Sequence, residues 1–234
     1  MSGEKESSVP EQPQSSPSRR RGPSKGDLKE QAILETAELL LAEKSIHELG
    51  VDELAKGAGI SRPSFYFYFE SKFAVLQALI GQVVRETYDQ AARWLREDDE
   101  DPGLAIRRSI EAVAAQWSLR GPILRAAVET WGSVPEMGRF WSGVTAGFVE
   151  AAAAKVERER RAGRAPAGPP DAKSLATALI WMNERCFYTA SIGAVPSLGE
   201  GELVETLTSV WLRAVYGEDA PLGQRKAPTR AKAA

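Results

Sequence analysis

Residues 51–72 read VDELAKGAGISRPSFYFYFESK, and this stretch decides the fold. Its first part places apolar residues at helical spacing and ends in glycines, and Gly59 suits the left-handed turn that closes a helix. Ser61 can then cap a second helix, because proline is tolerated at the next position but one, Pro63, in a first helical turn. The stretch therefore predicts a short helix, a tight turn and a second helix that runs to about Phe69.

The second helix carries five aromatic residues in a row, from Phe65 to Phe69. Five consecutive side chains cover every side of a short helix, so they cannot all enter one core. Phe65 and Phe69, with Tyr66 at most, are enough for packing, which leaves Phe67 and Tyr68 for a partner. A helix, a turn and a helix that presents polar and aromatic groups predicts a helix-turn-helix that binds DNA.

The segment GISRPSFYFYFESK, residues 59–72, resembles the signature of TetR-type transcriptional repressors, in which Ser or Thr, an aromatic pair, Phe and a following Lys recur. The alternative is a helical hairpin in some other α-protein. The resemblance implies a three-helix DNA-binding domain at residues 25–72 and a larger helical domain for ligand binding and dimerisation at residues 73–217. By position in this chain, it implies these DNA contacts: Ser61, Arg62, Pro63, Ser64, Tyr66, Phe67, Tyr68 and Lys72.

Residues 1–24 are rich in Ser, Pro, Glu and Gln and hold almost nothing to bury, so they are predicted to be disordered. The end of this segment is basic, with Arg19, Arg20, Arg21 and Lys25. This cluster is either a solubilising charge run or an arm that lies on phosphates or enters a minor groove. Residues 218–234 lack core residues and are predicted to form a mobile tail.

The composition narrows the class of function. The 234 residues carry a formal net charge of −2, so DNA binding requires local basic patches. One cysteine, Cys186, and one histidine, His47, lie in separate halves, which argues against a disulfide, a zinc site and a Cys–His nucleophile. With no phosphate-binding glycine motif either, we expect no enzyme, no cofactor and no metal. The chain has no long apolar run or signal segment, which predicts a cytoplasmic protein without a membrane segment.

The remainder of the chain shows helical periodicity with glycine and proline punctuation, and the predicted fold is all-α. The long helix after Lys72 is expected to link the DNA-reading end to the second domain. The helices are predicted at residues 27–44, about 50–57, 61–69, 73–95, 104–118, 122–132, 135–161, 171–191 and 201–216.

The last two predicted helices carry apolar residues on more than one face. A surface helix needs a single apolar stripe, so the second face needs another partner. In TetR-type proteins the last two helices of each chain form a four-helix dimer interface, and this pair resembles it. We therefore expect a homodimer through residues 171–216 that binds a double-stranded, pseudo-palindromic operator.

Tryptophan and phenylalanine recur in the second domain, where they either fill a plain core or line a small-molecule pocket. Small residues such as Gly143, Gly147 and Ala151 favour a gap between helices. The segment WMNER at 181–185 extends the resemblance to a mycobacterial TetR-type subgroup, the ethionamide-activation repressors, which have an apolar, aromatic-lined tunnel. Ile180 stands where that subgroup has a second asparagine, which predicts a less polar pocket. The candidate ligand-binding residues are Trp117, Trp141, Thr145, Phe148, Asn183, Phe187 and Trp211.

Three functions remain open at this level. The first is a repressor released from DNA by a small apolar effector. The second is an architectural DNA-binding protein in which the aromatic residues are ordinary core. The third is a carrier or enzyme for apolar molecules. DNA binding separates the third from the others, and ligand-induced release separates the first from the second.

Overall fold

The computed structural model describes residues 24–96 and 101–217, with side chains from 89 to 96 and at 200 left out. The predicted basic arm with Arg19, Arg20 and Arg21, and the predicted tail from residue 218, lie outside these residues. The described residues form helices and no strand, so the all-α prediction is confirmed. None of the described helices is both long and apolar enough to span a membrane. The helices are α1 (Lys25–Glu43), α2 (Val51–Gly57), α3 (Arg62–Phe65), α4 (Lys72–Arg96), α5 (Pro102–Trp131), α6 (Pro135–Arg161), α7 (Ala172–Ser191) and α8 (Glu200–Tyr216).

Helix α1 begins two residues earlier than predicted, because Ser24 caps it. The Ser24 hydroxyl accepts a hydrogen bond from the Asp27 N–H (3.2 Å), and the Asp27 carboxylate accepts one from the Ser24 N–H (2.8 Å). This reciprocal pair is a capping box. It sets Lys25 in the first turn of α1, where its side chain is exposed.

Helix α2 packs closely on α1. A Cβ at Gly57 would lie only 2.2 Å from the methyl carbon of Thr36, so glycine is required there by the approach of the two helices. Gly59 has φ of +63° and closes the turn before α3, as predicted. Gly50 caps α2 without a side chain, and the Glu53 carboxylate accepts its N–H instead (2.9 Å).

Helix α3 is shorter than predicted. It ends at Phe65, and turns follow in place of a helix that continues to Phe69. Phe65 and Phe69 are both buried, with ring centroids 6.2 Å apart. A straight helix would also place Phe65 and Phe69 on one face, four residues apart, so the turns after Phe65 serve to redirect the chain into α4.

The predicted helices 104–118 and 122–132 form one kinked helix, α5. Arg120 has φ of −117° and ψ of 22°, which is not helical, and Pro122 lies inside the helix. Proline removes one backbone donor and crowds the preceding turn, so the helix bends. The helix resumes without a loop, and the non-helical residue Arg120 lies where the sequence placed the break between the two predicted helices.

The helices enclose two hydrophobic cores. The first joins α1, α2 and α3 to α4, the second half of α5 and the start of α6, so it crosses the predicted domain boundary at 72/73. The second joins the first half of α5 to the end of α6, α7 and α8. Trp117 packs against both cores. Packed side chains therefore run without interruption from α1, α2 and α3 through the first core to its boundary with the second core.

Candidate DNA-binding surface and ligand cavity

The surface around α3 exposes aromatic side chains. Phe67 is 89% exposed and Tyr66 is also exposed, although both lie between the buried Phe65 and Phe69. Tyr68 is half-buried and packs against the first core. An exposed phenylalanine beside an exposed tyrosine is an apolar patch that a groove edge or thymine methyl can cover.

Arg62 lies on the same surface and is held by its neighbours. Its Nη1 donates to the Asp52 carboxylate of α2 at 2.8 Å. The Tyr66 hydroxyl and the Asp52 carboxylate raise the pKa of the Arg62 guanidinium above its ordinary value. The guanidinium thus stays charged and is positioned over the surface by two adjacent side chains.

The two serines at the start of α3 contact each other. The Ser61 hydroxyl accepts the Ser64 N–H (3.2 Å) and lies 2.8 Å from the Ser64 hydroxyl. Pro63 is exposed in the first turn. The Ser61 side chain is therefore the helix cap, and Ser64 extends the polar edge of the surface.

Lys72 differs from Arg62 in its surroundings. Its Nζ donates to the carbonyls of His47 (2.8 Å) and Leu49 (2.9 Å), and it lies 5.5 Å from the Phe73 ring centroid. Burial lowers the pKa of the Lys72 ammonium. Lys72 ties the start of α4 to the loop between α1 and α2, and one of its three N–H donors remains for a phosphate.

The second site is a cavity of about 120 Å³ between the two cores. An engineered cavity of about 150 Å³ in another protein holds a benzene ring, so this one has roughly the size of a single ring. The lining residues come from four helices, α4 to α7: Val83, Val84, Thr87, Val113, Gln116, Trp117, Leu124, Trp141, Val144, Thr145, Phe148, Ile180, Asn183, Glu184 and Phe187.

Aromatic rings form much of the wall. The rings of Trp117 and Phe187 stack with centroids 6.3 Å apart and planes 9° apart. Phe148 lies 5.9 Å from Tyr88 of α4. Six of the seven predicted ligand-binding residues line the cavity.

The seventh, Trp211, is buried on α8 outside the lining. Its indole N–H donates to the Asn183 Oδ1 at 3.0 Å. Trp211 therefore positions the Asn183 amide, with the oxygen used and the amino group left for the cavity. The sequence pattern could not separate these roles, because the two residues lie on different helices and their contact depends on how α7 packs on α8.

Three polar residues of the lining were missed from the sequence: Thr87, Gln116 and Glu184. Gln116 and Glu184 are sequence neighbours of the predicted residues Trp117 and Asn183, whereas Thr87 lies on α4, where no ligand-binding residue was predicted. The small residues Gly143 and Gly147 were expected to create the gap, but they are exposed with open space beyond them. The gap lies on the opposite side of α6, lined by Trp141, Val144, Thr145 and Phe148.

Two family models match the chain. "Bacterial regulatory proteins, tetR family" covers residues 33–79. "Transcriptional regulator EthR, C-terminal domain" covers residues 106–217. The first includes α2, α3 and the exposed surface, and the second includes most of the cavity.

Curated relatives match most of the chain. The HTH-type transcriptional regulator EthR of Mycolicibacterium smegmatis is 42% identical over 85% of this chain and 91% of its own. The regulator of the same name from Mycobacterium tuberculosis is 39% identical over 86% of this chain and 93% of its own. These relatives are regulators of transcription and not enzymes.

Solved structures with little sequence identity share the fold. The fatty acid degradation regulator FadR from Bacillus halodurans superposes with a TM-score of 0.66 at 16% identity, over 87% of this chain and 100% of its own. The TetR-family regulator PfmR from Thermus thermophilus superposes with a TM-score of 0.58 at 21% identity, over 80% of this chain and 98% of its own.

Proposed function

This chain belongs to the TetR family of DNA-binding transcriptional regulators, with a carboxy-terminal domain of the EthR type, and we propose that it is a dimeric repressor released from its operator by a small ligand. The observation that carries the proposal is the cavity, because it combines an aromatic wall with polar side chains such as Thr145 and Asn183 and adjoins the kink of α5. A regulator of this kind acts on the chromosome, in the bacterial cytoplasm.

The DNA-reading surface is formed by α3 and its flanks. Arg62, Ser64 and Phe67 face base edges, and Phe67 covers a thymine methyl. Ser61, Pro63, Tyr66 and Tyr68 lie along the phosphates beside them, and Lys72 and Lys25 add positive charge at the ends. The arginines at positions 19–21 extend this contact along the DNA.

Two such surfaces are needed to read a pseudo-palindrome. A two-fold dimer sets two recognition helices about 34–36 Å apart, one turn of DNA. Helices α7 and α8 retain half-buried or exposed apolar side chains that a second copy would cover: Trp181, Met182, Val204, Val210 and Ala214. The interface proposed for residues 171–216 uses this face.

Ligand binding alters the spacing of the two surfaces. Helix α4 begins at Lys72, next to the DNA-reading surface, and its residues Val83, Val84 and Thr87 line the cavity. A ligand that overfills this cavity of about 120 Å³ pushes α4 away from the facing helices. Such movement of α4 swings the α3 surface. It disfavours the operator-bound state, so the affinity for the operator falls by a factor of about 5 to 150.

The test is a gel-shift titration against DNA that flanks the gene for this protein. We expect sequence-specific binding in the presence of competitor DNA, with affinity that falls steeply as salt rises. Apolar amides, esters, fatty acids and amines are then added, while tryptophan fluorescence reports occupation next to Trp117 and Trp141.

A matched pair of variants connects the cavity to release. Val113→Phe fills the cavity from α5, whereas Ala115→Phe adds the same ring at an exposed position of the same helix. We expect the first variant to lose ligand binding and the second to keep it. If DNA binds specifically and every compound leaves both fluorescence and DNA binding unchanged, the protein is architectural. If it binds no DNA but binds the compounds, it is a carrier.

A further inference from the structure

Three polar atoms around the cavity are buried without a hydrogen-bond partner. They are the Gln116 Oε1, the Trp141 Nε1 and the Glu184 Oε1. Each belongs to a residue that lines the cavity. Buried polar atoms are almost always paired, since each unpaired one costs the desolvation of its group. Three of them at one cavity mark places where a bound molecule can supply the missing partners.

The chemistry of each group restricts the ligand. The Trp141 indole can only donate, and the Asn183 amino group also donates because its oxygen is bound to Trp211. Gln116 can rotate its amide to donate or accept, so it does not discriminate. The ionised Glu184 carboxylate can only accept. The cavity therefore selects a molecule that has both an acceptor and at least one N–H or O–H donor.

Glu184 adds a requirement of charge. Its side chain is only 9% exposed, and the nearest cation, the Arg185 Nε, lies 3.9 Å from the other carboxylate oxygen. Among the described residues that line the cavity, none is a lysine or an arginine. Burial raises the pKa of the Glu184 carboxyl, which reflects the same uncompensated charge. An anionic ligand would add a second negative charge, whereas a cationic one would neutralise the first.

The aromatic walls favour the same ligand. The stacked rings of Trp117 and Phe187, together with Trp141 and Phe148, present faces that attract a cation and cover an apolar body. A carboxylate at the edge of an aromatic cavity is a site for an ammonium group. A fatty acid, by contrast, would place its own carboxylate beside that of Glu184, and none of the described lining residues is a lysine or an arginine that could pair with it.

We propose that the effector is a lipophilic amine, whose protonated nitrogen pairs with Glu184 and whose apolar body lies among the rings, with an acceptor atom for the Trp141 and Asn183 donors. The proposal rests on the proposed function, in that the cavity is taken as the effector site. It specifies the class of ligand that the family resemblance leaves open.

The test compares four compounds that share one ring and differ in the end group. They are 2-(4-methoxyphenyl)ethylamine, 2-(4-methoxyphenyl)ethanol, 4-methoxyphenylacetate and 4-ethylanisole, which all carry the methoxy oxygen as an acceptor, and they are titrated by calorimetry and by tryptophan fluorescence. We expect the amine to bind at least about tenfold more tightly than the alcohol, and 4-methoxyphenylacetate not to bind. The protein is used as the full chain.

Two substitutions of the same type locate the effect. Glu184→Gln keeps the size of the side chain and removes its charge, so it should abolish the advantage of the amine and leave alcohol binding unchanged. Glu150→Gln is the control, because Glu150 is exposed and paired with Lys173 (3.1 Å) outside this cavity. Circular dichroism on both variants checks that folding is retained.

The outcomes are distinct. Equal binding of the amine and the alcohol to the wild type, unchanged amine affinity in Glu184→Gln, or no binding of the amine overturns the proposal. If 4-ethylanisole or 4-methoxyphenylacetate releases the operator while the amine does not, the proposed repressor function stands and the amine proposal fails. If the amine binds through Glu184 but leaves DNA binding unchanged, the ligand class stands and effector-induced release fails.

Discussion

Arg62 and Lys72 carry the same charge on the proposed DNA-binding surface, but their surroundings differ. Arg62 is exposed and is held by the Asp52 carboxylate on a neighbouring helix. Lys72 is half-buried and donates to two loop carbonyls, so part of its role is in the fold. At the scale of single residues, Arg62 is therefore suited to contact base edges. Lys72 is suited to stabilise the surface while its remaining donor contacts a phosphate.

Replacement of these two residues should therefore have different consequences. Arg62→Ala should relax base preference at one operator position by about tenfold, because a guanidinium that contacts a base edge is lost. Lys72→Ala should weaken binding to all sequences and flatten the salt dependence by about one unit. It should also lower the melting temperature. Binding to a set of single-base operator variants at several salt concentrations checks both. Uniform weakening by Arg62→Ala would show that these roles are wrongly assigned.

Glu159, near the end of α6, is a buried carboxylate with two cationic partners. Its side chain is 2% exposed and accepts from the Arg164 guanidinium (2.8 and 2.9 Å), with the Lys155 Nζ at 3.0 Å. Arg164 and then Lys155 outweigh the cost of burial and lower the pKa of Glu159 to about 2. The ionised form is thus favoured in the folded protein relative to the unfolded chain.

This pKa predicts a loss of stability in acid. A lowered folded-state pKa contributes stability that is full above the unfolded pKa of 4.5 and is lost as the pH falls towards about 2. Glu159→Gln should lower the free energy of unfolding by about 2–3 kcal/mol at pH 7, and the difference from wild type should shrink over that interval. Urea unfolding from pH 7 to pH 3 measures it. Glu150→Gln, at an exposed ion pair, should show little change. A pH-independent difference for Glu159→Gln would contradict the assignment.

At the scale of elements, the kink of α5 connects the cavity to the DNA-binding helices. The guanidinium of Arg120, the non-helical residue, donates from Nη1 to both Glu38 oxygens of α1 at 2.6 Å, and its Nη2 lies 3.7 Å from Glu86 of α4. Trp117 and Leu124 line the cavity about one turn to either side of it. A ligand that displaces these walls therefore acts on the residue that holds α1.

Removal of this contact should uncouple the two sites. Arg120→Met keeps the aliphatic stem and loses the ion pairs, so the ligand should still bind while its effect on DNA affinity falls from the usual 5- to 150-fold towards none. Arg107→Met is the control, because Arg107 on the same helix pairs only with the exposed Glu111 in the described structure (2.9 Å). Fluorescence titration and operator binding with and without ligand measure the two effects. Full ligand response in Arg120→Met would exclude this route.

At the scale of the whole molecule, the proposed dimer depends on which side chains of α8 face outwards. Leu207 is 1% exposed and belongs to the second core, so a charge there would unfold the protomer. Val210 is 37% exposed on the same helix. The helix therefore has one face for its own core and another for a second copy.

A charge on the outer face should dissociate the dimer without unfolding it. Val210→Glu should yield folded monomers with much weaker operator binding, because one recognition surface cannot span two half-sites. Leu119→Glu, at an exposed leucine outside residues 171–216, should remain dimeric. Sedimentation velocity at micromolar concentration and circular dichroism give the result. A wild-type protein that sediments as a stable monomer would contradict the proposed assembly.

The sequence by itself determined the class of fold, the helix-turn-helix and six of the fifteen residues that line the cavity. These features follow from local rules: apolar spacing along each helix, Gly59 in a left-handed turn, the Ser61 cap and a long signature around Phe67. Such rules act over one or two turns, so they are visible in the order of residues. Helix existence was therefore predictable, while the lengths of α3 and α5 were not.

Only the tertiary structure decided which face of each helix is enclosed and which polar groups remain unpaired. Gly143 and Gly147 are exposed where the sequence placed a gap, Trp211 binds Asn183 instead of lining the cavity, and Glu184 enters it. The physical reason is that burial and hydrogen-bond pairing depend on the packing of α4 to α8 around one another. That packing depends on residues that are distant in sequence, so it cannot be predicted from the spacing of residues along a single helix.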